Sequence, residues 1–211
     1  MGNKEEIPNA DAATSAPGQQ QTRTDDLILP YPEYYIIDVA FGGVTNRNNL
    51  ISHRNLSGRL EKWQLDGGTK RELIDCYRSY WRYPDAMLEH FDKRRSVSGY
   101  AGSVYADYLP IDIDSQELIQ SLQSARSLLY HLEQEYEVDL KAIKVYFSGS
   151  KGFHIELPSH LFGFEPSPLL HDIYKDIVTR LSPEGLTVDY AVYDKVRLWR
   201  IPNTINSKSG L

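Results

Sequence analysis

The sequence predicts an α+β fold, and three observations predict it. Helical and extended segments mix along the chain without the regular strand–helix rhythm of a doubly wound sheet. Residues 116–136 carry a 3.6-residue apolar stripe in Leu118, Ile119, Leu122, Ala125, Leu128, Leu129 and Leu132. Just beyond, the runs 144–147 and 153–157 flank Ser148-Gly149-Ser150-Lys151-Gly152 and read as a β-hairpin.

The elements follow in order. Residues 1–25 are rich in Gln, Ala, Ser, Thr, Pro and charge and almost free of large apolar residues. Such a stretch buries too little surface to offset its ordering entropy, so a disordered tail is expected there, with one domain over 26–211. The run 34–41 (YYIIDVAF) predicts a buried strand ended by Gly42-Gly43, and the Asn- and Ser-rich stretch 45–58 predicts loop. Thr69-Lys70-Arg71-Glu72 has capping-box spacing, so a helix is expected through Leu73, Ile74, Cys76, Tyr77, Tyr80 and Trp81. Pro84 ends it and opens another, running to about Arg95. Residues 104–114 read as a strand, with Pro110 at a kink or an edge. After the long helix and the hairpin, Ser167-Pro168 opens a helix buried through Leu169, Leu170, Ile173, Ile177, Val178 and Leu181. Residues 186–193 and 196–201 read as short extended segments.

Composition excludes several functions. The 211 residues suit one domain with a sizeable core. No apolar run is long enough to span a bilayer, and the polar, acidic N-terminus lacks a secretory h-region. One cysteine, Cys76, makes neither an internal disulfide nor a cysteine-rich zinc site, which suits a reducing, cytoplasmic setting. A net charge of -6 argues against a uniformly basic nucleic-acid coat but leaves room for a local basic groove.

Four constellations carry chemistry. In Ile111-Asp112-Ile113-Asp114-Ser115, residues two apart on a strand share a face, so Asp112 and Asp114 project side by side. Adjacent carboxylates repel unless a cation sits between them, and hard cations such as Mg²⁺ or Mn²⁺ take oxygen ligands. The plainer reading is a solvated strand end whose Asp114 or Ser115 caps the next helix. The glycine turn, with Ser148, Gly149, Lys151 and Gly152 followed by His154, offers backbone N–H groups, a hydroxyl and an ammonium to an anion. It lacks Walker A spacing, and a simple hairpin turn beside a buried histidine explains it equally well. Asp189 stands among Val188, Tyr190 and Val192, where a carboxylate needs a partner: a metal, or a turn to cap. The stretch 195–208 holds Lys195, Arg197, Arg200 and Lys208 around Trp199 with no acidic residue. That suits phosphates and stacked bases, or an edge strand protected by charge. Tyr77, Arg78, Tyr80, Trp81 and Arg82 add a mixed basic and aromatic patch that an ordinary amphipathic helix would also explain.

Taken in order, D-x-D, S-G-x-x-G-F-H, a lone Asp and R-L-x-R-x-P-N-x-I-N-x-K resemble the catalytic domain of the archaeo-eukaryotic primase superfamily, the primase-polymerases, over about residues 70–211. The resemblance implies a core with an RRM-like half and a DNA-dependent nucleotidyltransferase active in DNA replication. It implies two Mg²⁺ or Mn²⁺ ions on Asp112, Asp114 and Asp189, and an incoming triphosphate on Ser148, Gly149, Lys151 and His154. Arg197, Arg200 and Lys208 match contacts to nucleotide and template. Arg78 or Arg82 matches a phosphate-contacting arginine, and spacing does not choose between them. Single-stranded DNA and nucleoside triphosphates are the implied partners, with a helicase domain or protein as a further one, and no membrane. Several members carry an inserted Cys/His zinc site; one cysteine leaves it out here. Members often continue into helical and helicase domains, so the chain reads as a fragment of a longer protein. The alternatives are a gap-filling polymerase that extends but does not initiate, a metal-dependent glycosyltransferase that shares D-x-D, and a non-catalytic nucleic-acid-binding replication module.

Overall fold

The computed structural model describes residues 30–66, 68 and 70–211. The tail expected over 1–25 and Thr69 of the capping box lie outside the described residues. The strands are β1 (Ile36–Ala40), β2 (Asn49–Ser52), β3 (Tyr77–Ser79), β4 (Tyr108–Ile113), β5 (Lys144–Phe147), β6 (Phe153–Pro158) and β7 (Leu198–Arg200). The helices are α1 (Leu56–Leu65), α2 (Ala86–Arg94), α3 (Leu118–Tyr136) and α4 (Leu170–Leu181).

Two antiparallel sheets result, one ordered β2-β1-β3-β7 and the other β4-β6-β5. With its helices, the molecule is mixed α+β. From β4 onward the chain runs strand, helix, hairpin, helix, and then returns to the free side of β4, where Val188 bridges Ile113 in antiparallel sense. Pro110 sits inside β4 without harm because among the described residues that edge carries no continuous ladder.

The pleat decides which residues meet. Leu109, Ile111 and Ile113 of β4 face the same way as Ile155 and Leu157 of β6, and all are fully buried. Helix α3 covers this region through Ala125, Leu128 and Leu132. Its Leu118 and Ile119, counted with the buried stripe by periodicity, lie in the first turn and stay exposed. The opposite face of β4 and β6 presents Asp112, His154 and Glu156 toward Trp199 of β7. A smaller core of Ile37, Val39, Phe41, Cys76 and Ile201 is covered by Leu56, Leu60 and Trp63 of α1. Burial there pushes the Cys76 thiol up.

On α4 the buried face runs through Leu170, Tyr174, Val178 and Leu181, while Leu169 and Ile173, expected on that face, are exposed. Three further expectations fail, each for a physical reason. The helix expected over 69–81 is absent. Asp75 takes a left-handed φ of 49°, and the chain then enters β3 between β1 and β7. Residues 79–83 are buried on both faces, a pattern that a central strand and a buried helix share. The loop expected over 45–58 instead contains β2 and the first turn of α1. Residues 186–193 form no strand: they make the single bridge at Val188 and then a 3₁₀ turn over Tyr190–Val192.

Candidate functional site

The last residues of β4 place two carboxylates. Asp112 sits in register with His154 on β6, and its carboxylate Oδ1 lies 3.8 Å from the imidazole Nε2. Asp114 follows just past the strand. The return of the chain brings Asp189 alongside: its backbone N–H donates to the Asp112 carbonyl at 2.9 Å. Burial pushes the Asp112 carboxyl up to about 7, and the charges of Asp189 and Asp114 push the same way, against Arg197. Asp112, Asp114 and the sequence-distant Asp189 therefore share one electrostatic field.

They do not form a closed ligand set. Among the described residues no three His, Cys, Asp or Glu side chains are gathered as a metal would need. The Asp189 carboxylate is turned toward its own helical turn, accepting from the Ala191 N–H at 2.9 Å, with the Arg197 guanidinium 3.7 Å away. The donors are all hard oxygens, and the crowding on Asp112 is what a divalent cation relieves, so their chemistry suits Mg²⁺ or Mn²⁺.

The glycine turn closes directly over β4. Ser148 N–H donates to the Gly152 carbonyl at 3.0 Å, and Gly152 N–H donates to Ser148 Oγ at 3.1 Å. A Cβ on Gly152 would stand 2.6 Å from the Ile113 carbonyl oxygen and 3.5 Å from Asp114 Oδ1. Only glycine lets the turn lie this close to the carboxylates. Gly152→Ala should therefore lower stability by about 1–3 kcal/mol by forcing the turn off the strand. A urea unfolding midpoint equal to the wild type's would refute that packing. Gly149 has φ of 86°, and a Cβ there would stand 3.0 Å from Cβ of Asn206. Lys151 Nζ donates to the Gln116 carbonyl at 3.2 Å, at the entrance to α3.

His154 is largely buried, and burial, aided by the charges of Arg200 and Arg197, lowers its pKa to about 4. The imidazole is neutral at pH 7, and its contact with Asp112 is not an ion pair. Its face lies 4.1 Å from the Trp199 ring, at 38°.

A cleft of about 440 Å³ joins these parts. Of the residues singled out by sequence, Asp112, Asp114, Ser148, Lys151, His154, Arg200 and Lys208 line it. Gly149, Asp189 and Arg197 stand beside it rather than in its lining. Arg78 also lies outside the lining, donating to the Ser79 carbonyl and standing near enough to Glu156 to favour its charged form. Arg82 is a core residue, 2 % exposed and paired with Asp107.

The cleft has a wall that sequence reasoning missed: Asp75, Tyr77, Asn206 and Ser207. Arg200 is fixed there by Asp75 Oδ1 at 2.9 Å and by the Tyr77 hydroxyl at 2.7 Å, with its guanidinium 4.7 Å from the Tyr77 ring centre. Burial raises the Asp75 carboxyl, but hydrogen bonds from Ser207 and Arg200 outweigh it and hold it below the usual carboxylate value. The only local signals were the P-N-x-I-N-x-K run for Asn206 and Ser207 and the Tyr77-Arg78 patch for Tyr77. Asp75 had none, because it reaches the cleft through the pairing of residues 73–75 with Ile205.

With this geometry in place, comparison with known proteins adds one relation. The chain is 24% identical over 163 residues to the DNA primase small subunit PriS of Thermoplasma volcanium. The match covers 73% of this chain and 45% of that protein, so the chain spans less than half the length of the relative. No protein-family model matches. The chain is thus distantly similar to an archaeal DNA primase small subunit. No helix among the described residues is long and apolar enough to cross a membrane.

Proposed function

We propose that the chain is a primase-like nucleotidyltransferase that joins nucleotides on a single-stranded DNA template, with release of pyrophosphate, in DNA replication. The observation that carries the reading is the convergence of Asp112, Asp114 and Asp189 beside a glycine turn with its lysine and histidine. The distant similarity to a primase small subunit supports it, as does the strand order from β4 to Val188, which suits an RRM-like half.

Asp112, Asp114 and Asp189 would hold the divalent cations. When bound, these ions lower the pKa of the attacking hydroxyl and neutralise the leaving oxygens. The chain's own groups do the positioning. The N–H groups of the turn, Ser148 and Lys151 would hold the β- and γ-phosphates, and neutral His154 donates one ring N–H to a phosphate oxygen without adding charge. Arg200, held rigid by Asp75 and Tyr77, presents fixed guanidinium N–H donors to the cleft, and Lys208 adds an ammonium beside it. Arg197, 3.7 Å from Asp189, offsets its charge, a role that a cation held there would share. The acidic net charge is no obstacle, because the ions reverse the sign locally.

The test is incubation with single-stranded DNA, labelled nucleotides and Mg²⁺ or Mn²⁺, with and without a primer. Incorporation that requires template and metal is expected; its absence on both substrates rejects the reading. Extension only when a primer is present selects a gap-filling polymerase instead. Binding of single-stranded DNA with no divalent-ion requirement and no product selects a non-catalytic replication module. Lys151→Ala should raise the nucleotide KM about tenfold, as loss of a charge-assisted phosphate contact does. An unchanged KM removes Lys151 from the phosphate site.

A further inference from the structure

The turn over residues 194–197 leads into β7 and carries the arginine that stands 3.7 Å from Asp189. It is not a core segment: Asp194 is exposed, and Lys195, Val196 and Arg197 are half-buried. A surface turn of this kind ordinarily leaves its carbonyls to water. Here four successive carbonyls each accept from a different residue of the protein. The Trp81 indole N–H donates to the Asp194 carbonyl at 2.8 Å, and the Tyr83 hydroxyl donates to that of Lys195 at 2.7 Å. Arg47 Nη2 donates to the Val196 carbonyl at 2.8 Å, and the Tyr80 backbone N–H to that of Arg197 at 2.9 Å. The Arg197 N–H itself donates to the Asp194 carbonyl at 3.0 Å.

Two of these donors have a plain explanation. Trp81 and Tyr83 are fully buried, and a buried indole or phenol needs a partner wherever its polar end falls. Arg47 is different. It comes from the loop between β1 and β2, and its Nε lies 3.2 Å from Oδ2 of Asp38, which is fully buried on β1. Burying a carboxylate between Ile37 and Val39 is costly, and an apolar residue would pack there without that penalty. A buried ion pair is also a poor source of stability. What this pair supplies is direction. The guanidinium is planar, so bonding Nε to Asp38 fixes where Nη2 points, and it points at the turn.

We propose that Arg47, braced by Asp38, and Tyr83 are positioning residues: by gripping the carbonyls of the 194–197 turn they hold the Arg197 guanidinium at Asp189. The inference rests on the reading of Asp189 and Arg197 as parts of the reacting centre. It ranks Arg47, Asp38 and Tyr83 with the outer partners that orient a site's own groups, whose loss typically lowers activity by about one to two decades.

The experiment uses the full chain on a primed single-stranded template. Asp38→Asn combined with Arg47→Met removes both charges together and keeps an acceptor for the Asn49 N–H, which Asp38 Oδ1 now receives at 2.9 Å. Replacing a buried pair by neutral groups of similar size is often neutral for stability, so this variant is expected to fold. Its kcat/KM should fall about tenfold. Tyr83→Phe keeps the ring, loses the donor, and should cost about threefold; where the paired variant does not fold, it carries the same measurements. Added to Arg197→Met, either change should cost nothing further, since all break one link. The ¹⁵N relaxation of the Arg197 Nε–H group, identified by its loss in Arg197→Met, reads the position without activity. Its order parameter should be in the rigid range in the wild type and fall below about 0.6 in the variants. A folded variant with wild-type kcat/KM, losses that add to that of Arg197→Met, or an equally rigid Arg197 overturns the proposal. If Arg197→Met alone leaves kcat/KM unchanged, the reading of Arg197 has failed and the role of Arg47 falls with it. If the wild type incorporates no nucleotide, the reading of the site has failed, and relaxation alone decides whether these residues hold Arg197.

Discussion

Asp112→Asn is expected to abolish nucleotide incorporation and, without metal, to make the protein more stable. Both effects have one origin. Asp112 is held in a mostly buried position, with Asp189 and Asp114 adding negative charge, so its carboxyl is pushed up to about 7. The folded value lies above the unfolded one, so the charged form costs stability. That cost is fully present above pH 7 and fades as the pH falls toward the ordinary carboxylate value near 4. Asparagine keeps the shape and removes the charge. Metal-free Asp112→Asn should gain on the order of 1–3 kcal/mol over the wild type at pH 8. The gain should shrink steadily and vanish near pH 4. His154 contributes the opposite slope, losing stability as the pH falls from the ordinary histidine value toward about 4, so the comparison is read above pH 6.5, where that slope is small. Activity should fall by about a hundredfold or more, the scale of losing a preorganised electrostatic contact at the reacting centre. Thermal unfolding from pH 5 to 8.5 in the presence of a chelator checks the first effect. A second scan with added Mn²⁺ should raise the wild-type midpoint and leave that of Asp112→Asn unmoved. Parallel pH curves for the two proteins would show that the carboxylates do not share a field. A midpoint that rises equally in both would remove Asp112 from the cation site.

What the sequence disclosed depended on how local each signal was. Helix α3 announced itself because Ala125, Leu128 and Leu132 recur at helical spacing and pack on one face. The hairpin did so because two apolar runs flank a turn with two glycines. Asp112 and His154 lie on adjacent strands at positions that register brings together, and Asp189 returns beside them through the Val188 bridge. Elsewhere local signals misled. The capping-box spacing at 69–72 suggested a helix, yet Cys76, Ser79, Trp81 and Tyr83 are all buried, and tertiary pairing with β1 and β7 decided the outcome. Helix α1 had a usable signal that the Asn- and Ser-rich stretch before it and Gly58 in its first turn obscured: Leu56, Leu60 and Trp63 at i, i+4 and i+7. The cleft wall at Asp75 was invisible because no spacing within one segment encodes a contact between residues 75 and 200.

Asp107→Ala should be far more damaging than its half-exposed position suggests, and far more damaging than Arg82→Met. Arg82 carries its guanidinium into the core, where Asp107 is its one ionic partner among the described residues and the Tyr105 ring lies 5.1 Å from its central carbon. Among the described residues its Nε and Nη1 have no hydrogen-bond partner. Burial already lowers its pKa, opposed chiefly by Asp107. Removing Asp107 leaves a charged group in the interior with the aromatic face as its remaining compensation. Breaking one side of a buried pair costs about 3–5 kcal/mol. Because the Asp107 side chain is 40 % exposed and part of its field is screened, about 2–4 kcal/mol is expected here. Arg82→Met removes the buried charge and its unpaired donors together while keeping much of the volume, and should fall within about 1 kcal/mol of the wild type. The double variant should match Arg82→Met rather than Asp107→Ala, since Asp107 has nothing to compensate once the guanidinium is gone. Urea unfolding of the three variants measures this directly. If Arg82→Met proves as costly as Asp107→Ala, the arginine is contributing net attraction rather than being tolerated, and the account of this core position is wrong.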